Sequence, residues 1–475
     1  MMMMSPEREM KELEKATERV WEIALELGLD PFPTHFEMVP ASIMYEFGAY
    51  GLPGRFSHWT HGKAYQRMKL MYDYGLSKIY ELVINTNPSY AFLMEGNGLL
   101  QNKLVAAHVL GHTDFFKHNM HFRYTSRQMV EVASVNAERI RKYEFDHGHK
   151  EVEAFLDRVL CLEEHVDPHL ALRAREWEAE RKDEHPAPRK TDYDDLFRLE
   201  KVEEPKGAKE EQPRHKKTPA EPERDLLLYI AEHADLEDWQ RDIVHIVRGE
   251  QLYFVPQMMT KVMNEGWASY WHREIMHRLE LSEEEYVQFA QMNSGVLAPS
   301  PHQVNPYHVG VKIWESIKKR WDEPTEDEKR EYLRKGGEGL AKMFEVREVD
   351  SDVSFLRNYL TRDLVDELDL YIYKREGDQW VVVEKDWQKI RDMLVASMTN
   401  FGVPYIVVED GDYHRNRELY LVHRYEGQEL DIKYAEKTMQ ALYGLWGRPV
   451  HVETVVDDRK LLLSYDGQRN AQTYV

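Results

Sequence analysis

The sequence predicts an α+β chain: a mainly α-helical N-terminal region followed by a smaller C-terminal α+β domain. Three observations predict it. Up to about residue 347, apolar residues recur at helical spacing in long segments. Between about Arg175 and Arg224 the chain turns polar and proline-rich. After Asp350, β-rich runs alternate with amphipathic helical segments. The expected organisation is a helical core in two parts, residues 1–174 and 225–347, interrupted by a charged flexible insertion at 175–224 and followed by the α+β domain at 348–475.

Taken in order, residues 5–28 read as an amphipathic helix. Ser5 can cap it, Pro6 suits its first turn, Gly28 ends it, and Met10, Leu13, Val20, Ala24 and Leu27 share one face. Residues 31–62 hold too many breakers for a long helix and too many aromatics for a solvated loop, which predicts an irregular, largely buried wrap. Helices are expected at 63–83 and 98–118, with Pro88, Gly96 and Asn97 turning the chain between them, and again at about 126–143 and 150–165. The stretch KVEEPKGAKEEQPRHKKTPAEPER has almost nothing to bury against the entropy of ordering. Helical periodicity resumes at Asp225 and runs on to about Arg278. In the last domain LDLYIYKR, QWVVVEKD, PYIVVEDGD, ELYLVHRYEG and PVHVETVV read as strands, and DWQKIRDMLVASMTNFG and DIKYAEKTMQALYGLWG as helices ended by glycine.

Composition narrows the function. With 63 basic against 85 acidic residues the net charge is −22, which repels phosphate backbones, so nucleic acid is not an expected partner. No run of about eighteen apolar residues suggests a membrane span, and no secretory signal pattern opens the chain. One cysteine, Cys161, excludes an internal disulfide framework and fits a reducing compartment; a cytoplasmic location is the expectation. Cys161 itself reads as a small core residue beside Leu160 and Leu162.

The chemistry concentrates in two segments. In LLQNKLVAAHVLGHTDFFKHN, His108 and His112 stand four apart on a predicted helix, which sets two imidazoles side by side as a chelating pair requires. Spacing alone is weak: 22 histidines in 475 residues give about one such pair by chance. The second segment, KVMNEGWASYWHREIMHRL, carries Glu265 in a NEGWAS context. Zinc peptidases of the gluzincin type take their third ligand from a glutamate on a later helix, in contexts that NEGWAS resembles. His108, His112 and Glu265 are therefore the expected ligands of a divalent metal, zinc by donor set, in a zincin-like N-terminal region.

One departure matters. In the HExxH helix of zinc peptidases a glutamate general base follows the first histidine, and here that position is Val109, which cannot take a proton. The base would come from Glu95 or His272, or the site binds metal without hydrolysis. Asp114 and His118 fall off the histidine face and read as groups that orient the ligands. Trp267, Tyr270 and Trp271 read as packing.

The run FGAYGLPGRFSHWTHGKAYQRMKLMYDYGLSKIYELVINTNPSYAFLMEGNGLLQNKLVAAHVLGHTDFFKHN resembles the stage V sporulation protein R (SpoVR) family. The likeness continues in DLEDWQRDIVHIVRGEQLYFVPQMMTKVMNEGWASYWH and in GDYHRNRELYLVHRYEGQELDIKYAEKTMQALYGLWGRPVHVET. It implies a part in spore cortex (peptidoglycan) formation, and as partners an AAA-type serine protein kinase and a von Willebrand A-like protein. It brings no reaction with it. The alternative to a metal-dependent hydrolase is thus a non-enzymatic regulator that binds a kinase or a cell-wall enzyme.

Overall fold

The computed structural model describes residues 6–74, 81–170, 218–219, 221–299, 304–377 and 379–475. Nearly all of the expected insertion, residues 175–217 and 220, lies outside them. In chain order the elements begin α1 Pro6–Glu26, β1 Thr34–Val39, α2 Ala41–Tyr50, α3 Trp59–Asp73, β2 Glu81–Ile84, β3 Ser89–Met94, α4 Leu99–His118, α5 Met129–His147 and α6 His149–Leu160. They continue with α7 Leu226–His233, α8 Asp238–Met259, α9 Lys261–Met276, α10 Glu283–Val296, α11 Pro306–Asp322, α12 Glu326–Glu331, α13 Gly339–Val349, α14 Asp352–Tyr359 and α15 Arg362–Glu367. Last come β4 Ile372–Glu376, β5 Gln379–Glu384, α16 Trp387–Met398, β6 Ile406–Tyr413, β7 Glu418–His423, α17 Ile432–Trp446, β8 Val450–Val456, β9 Arg459–Tyr465 and β10 Asn470–Tyr474.

The chain divides into two compact units, residues 1–154 with 249–403 and residues 155–248 with 404–475. In the first, a three-stranded sheet runs in the order β1-β3-β2, β1 parallel and β2 antiparallel to β3. Its face is closed by α4. Val105 and Val109 pack with Leu93 and Ala91 of β3, while Ala106, Ala107, Leu110 and Phe115 join a second cluster with Trp267, Trp271 and Trp314. Most of α4 is buried, its polar residues included: Asn102, His108, His112, Thr113 and Asp114 all lie inside.

Several expectations are corrected here. The wrap expected at 31–62 contains β1 and α2, and the helix expected at 63–83 is α3 followed by β2, so Glu81 and Val83 stand on a strand. The turn segment after it is β3, bracketed by the turns at Asn87-Pro88 and Glu95–Gly98. Cys161 is exposed rather than packed in a core.

The boundary expected at 347/348 does not coincide with the division into units. Residues 348–403 pack in the first unit because Phe355, Leu356, Tyr359, Ile390 and Val395 share the core of Trp267 and Trp314. Asp352 also caps α9: its carboxylate accepts the Val262 and Met263 amides at 2.8 and 2.9 Å, two donors that a helix N-terminus leaves free. Burial outweighs these amides and holds the Asp352 carboxyl up at about 7.

The second unit is built on a five-stranded sheet in the order β10-β9-β8-β7-β6, antiparallel except for β7 and β8, which α17 connects as a crossover. Alternation along the strands sends Leu419, Leu421, Val450, Val452, Leu461 and Leu463 to the buried side. Met439, Leu442, Leu445 and Trp446 of α17 are buried as well, and Gly447 ends that helix in the left-handed region at φ 77°.

Among the described residues no helix is long and apolar enough to cross a membrane. One buried histidine of the first unit gives a stability test. His61 is held down at about 4 by burial first, then by the charges of Arg55 and His58. Its folded value lies below the ordinary 6.5, so the unfolded chain takes up the proton first and stability falls as pH drops from 6.5 to about 4. The loss is on the order of 3 kcal/mol. Denaturant titrations across that range are expected to show a slope that His61→Phe flattens; equal slopes would refute the assignment.

Candidate metal centre

His108 and His112 lie one turn apart on α4, both buried, their rings edge to face at 4.5 Å. Two close helix crossings bring α9 to them. A Cβ on Gly111 of α4 would stand 2.6 Å from the Ala268 Cα, and one on Gly266 would stand 2.5 Å from the Gly310 backbone of α11. Small residues at 111, 266 and 310 thus let three helix backbones approach where ordinary side chains would hold them apart.

The approach aims Glu265 between the imidazoles. Its Oε2 lies 3.6 Å from Nε2 of His108 and 3.6 Å from Nε2 of His112. A second carboxylate arrives from the sheet, with Glu81 Oε1 3.6 Å from His108 Nε2. Ligand atoms of Glu81, His108 and His112 all lie within 4.8 Å of one another. Two atoms bound to one tetrahedral ion at about 2.1 Å are separated by about 3.4 Å, so the spacing has the scale of a coordination shell rather than of direct hydrogen bonds. The imidazole side chains are 5% and 7% exposed and the side chains of Glu81 and Glu265 are 21% and 20% exposed, so the glutamates are the more open members of the cluster while Glu265 Oε2 itself is buried.

The outer nitrogens are fixed by hydrogen bonds. Asn264 Oδ1 lies 2.9 Å from His112 Nδ1, so that Nδ1–H donates and Nε2 keeps its lone pair toward Glu265. His272 Nε2 lies 2.9 Å from Asn293 Oδ1, and His272 Nδ1 lies 2.9 Å from His108 Nδ1. With Asn293 accepting, His272 donates from Nε2 and accepts from His108 Nδ1–H, which leaves the His108 Nε2 lone pair pointing inward. His108 Nε2 and Glu265 Oε2 are both buried without a hydrogen-bond partner. Lone pairs that converge without a donor are costly unless a cation lies between them.

Electrostatics agree. Burial first, and then the neighbouring His108, holds His112 down at about 4 and His272 at about 3, so both are neutral at pH 7. Glu265 falls below the usual carboxylate range: burial raises it, and its contacts with His108 and His112 lower it by more. Burial raises Glu81. His108 is pulled down by burial and pulled up further by Glu81 and Glu265, so the site draws positive charge to Nε2. Burial, and then the charge of the neighbouring Glu265, raises the phenol of Tyr307 on α11.

The structure brings together His108, His112 and Glu265, which the sequence singled out, and sets His272 behind His108 rather than beside the opening. It does not bring Glu95 to them. That residue is exposed in the turn after β3, where its backbone amide donates to Val39. Asp114 and His118 do not orient the imidazoles either. Asp114 accepts from Arg347, Trp267 and the Asp30 amide, and His118 meets Asp30. The orienting groups are Asn264 and His272. Glu81 escaped the sequence reading, although a charged residue opening the apolar run ELVI is a signal that a strand end carries something other than packing.

An α+β chain whose helices bury a histidine–carboxylate cluster beside a small sheet is the class of protein that fold and site define. A family model described as SpoVR like protein matches residues 7–403, and one described as SpoVR-like C-terminal domain matches residues 404–458. The chain belongs to the SpoVR family, and the boundary between the two matches falls where the first unit ends. An Escherichia coli (strain K12) relative, called uncharacterized protein YcgB, is 28% identical over 468 residues, spanning 92% of this chain and 90% of its own. No solved structure matches.

Proposed function

We propose that this chain is a metal-dependent protein with a hydrolase-type site, in which His108, His112 and Glu265 hold one divalent cation, zinc by donor set. The observation that carries the reading is the convergence of His108 Nε2 and Glu265 Oε2, both buried and unpartnered, at 3.6 Å. A cation held there supplies polarisation of a substrate oxygen and an acidified water. The chain's own residues would do the rest. Asn264 and His272 keep the imidazoles turned inward. Glu81, raised by burial and with its Oε1 3.6 Å from His108 Nε2, would take the proton that Val109 cannot. The family likeness adds the setting, spore cortex formation, and the kinase and von Willebrand A-like proteins as partners to be tested.

Metal analysis of the purified protein is the test. About one equivalent of zinc or a similar ion is expected in the parent, and His108→Ala, His112→Ala and Glu265→Ala are each expected to lose it. Unchanged stoichiometry in these variants would overturn the assignment and leave the regulator reading, which Val109 favours, in its place.

A further inference from the structure

A second feature of the first unit is independent of the metal centre and shares none of its residues. The groove between α1 and β1 has a volume of about 570 Å³. Phe36, Met38 and Leu93 form its floor, and Met10, Leu13 and Trp21 form the helical wall. Met10 is 42% exposed there, although the periodicity of α1 assigns it to the packed face. A groove of this size and apolar lining is in the range of ligand sites.

Two further observations say what fits it. First, β1 is an edge strand: it pairs with β3 and, among the described residues, with nothing on its other side. A strand added beside β1 would continue the sheet and send every second side chain into the layer of Thr34, Phe36 and Met38, beneath α1. Second, the surroundings are acidic. Glu14 and Glu18 of α1 line the groove, and Glu37 projects from the opposite face of β1. None of the three forms an ion pair among the described residues.

We propose that this groove is a docking site for an extended peptide segment of a partner protein, one that alternates apolar and cationic residues and pairs with β1. Apolar side chains enter the groove. The alternate Lys or Arg side chains lie over Glu37, and a cation at the end of the segment reaches Glu14 and Glu18. Pro33 and Pro40 bracket β1 and limit the pairing to about six residues.

The test uses the full chain and a fluorescein-labelled alternating Lys–Val hexapeptide, followed by anisotropy. Saturable binding is expected, with a Glu–Val counterpart bound at least about tenfold more weakly. Glu14→Lys/Glu18→Lys is expected to weaken the Lys–Val peptide by about tenfold, while Glu283→Lys/Glu284→Lys, the same charge change on α10, leaves it within about twofold. Methylating alternate backbone amides of the peptide removes its strand hydrogen bonds and is expected to abolish binding. Equal loss in the two charge-reversal variants, undiminished binding of the methylated peptide, or no saturable binding by the parent would each overturn the proposal. Thermal melts of both variants are expected to match the parent, since Glu14 and Glu18 are exposed on α1 and Glu283 and Glu284 on α10.

Discussion

Replacing Arg347 with alanine is expected to lower the stability of the first unit by about 3 to 5 kcal/mol. Arg347 Nη1 lies 2.9 and 2.8 Å from the two oxygens of Asp114, whose side chain is fully buried. Asp114 also accepts the Trp267 indole N–H at 2.9 Å and the Asp30 amide at 2.9 Å. These contacts tie α4, α9 and α13 to the loop after α1. The two neutral donors remain when the guanidinium is removed, but the fully buried carboxylate loses its cationic partner. The cost is therefore set by the stranded anion more than by the lost ion pair.

Asp114→Asn in the Arg347→Ala background separates these terms. It removes the charge and is expected to recover about half of the loss, whereas a pair contributing only by attraction would show no recovery. Guanidinium unfolding read by tryptophan fluorescence measures both, since Trp267 sits in the network. A loss below about 1 kcal/mol in Arg347→Ala would mean that water reaches Asp114.

Legibility in the sequence followed how local each signal was. Helix α4, its two histidines and the strands of the second unit up to β8 carry their own periodicity and could be read directly. Strand β9 follows a turn at Asp457 and Asp458, both at positive φ without a glycine to announce it, and every residue of β10 is exposed and so shows no alternation. Glu265 was legible because a motif surrounds it. Glu81 was not, because its partner His108 is distant in sequence and the strand that carries it has four residues. Asp114 looked like a ligand orienter from its spacing along α4. Its real partner, Arg347, lies far along the chain, and no local pattern encodes a meeting of that kind.

The same distinction between local and distant partners shapes what metal should do to stability. Chelator-treated protein is expected to gain about 2.7 kcal/mol in zinc at one hundred times the dissociation constant, and about 4 kcal/mol at a thousand times. His108→Ala and Glu265→Ala are expected to abolish the gain. His272 is the informative position. It never faces the centre; its Nδ1 lies 2.9 Å from His108 Nδ1 and its Nε2 is held by Asn293. His272→Leu leaves every ligand in place but frees the His108 ring to rotate and to move its proton to Nε2. The expected result is full stoichiometry at saturating zinc with an affinity about 10- to 100-fold lower. Glu95→Gln, on an exposed turn, is expected to change neither quantity. Should His272→Leu bind zinc as tightly as the parent, the relay from Asn293 would have no part in setting the ligand; should it bind none, His272 would itself be a ligand and the centre would be built differently from the geometry described.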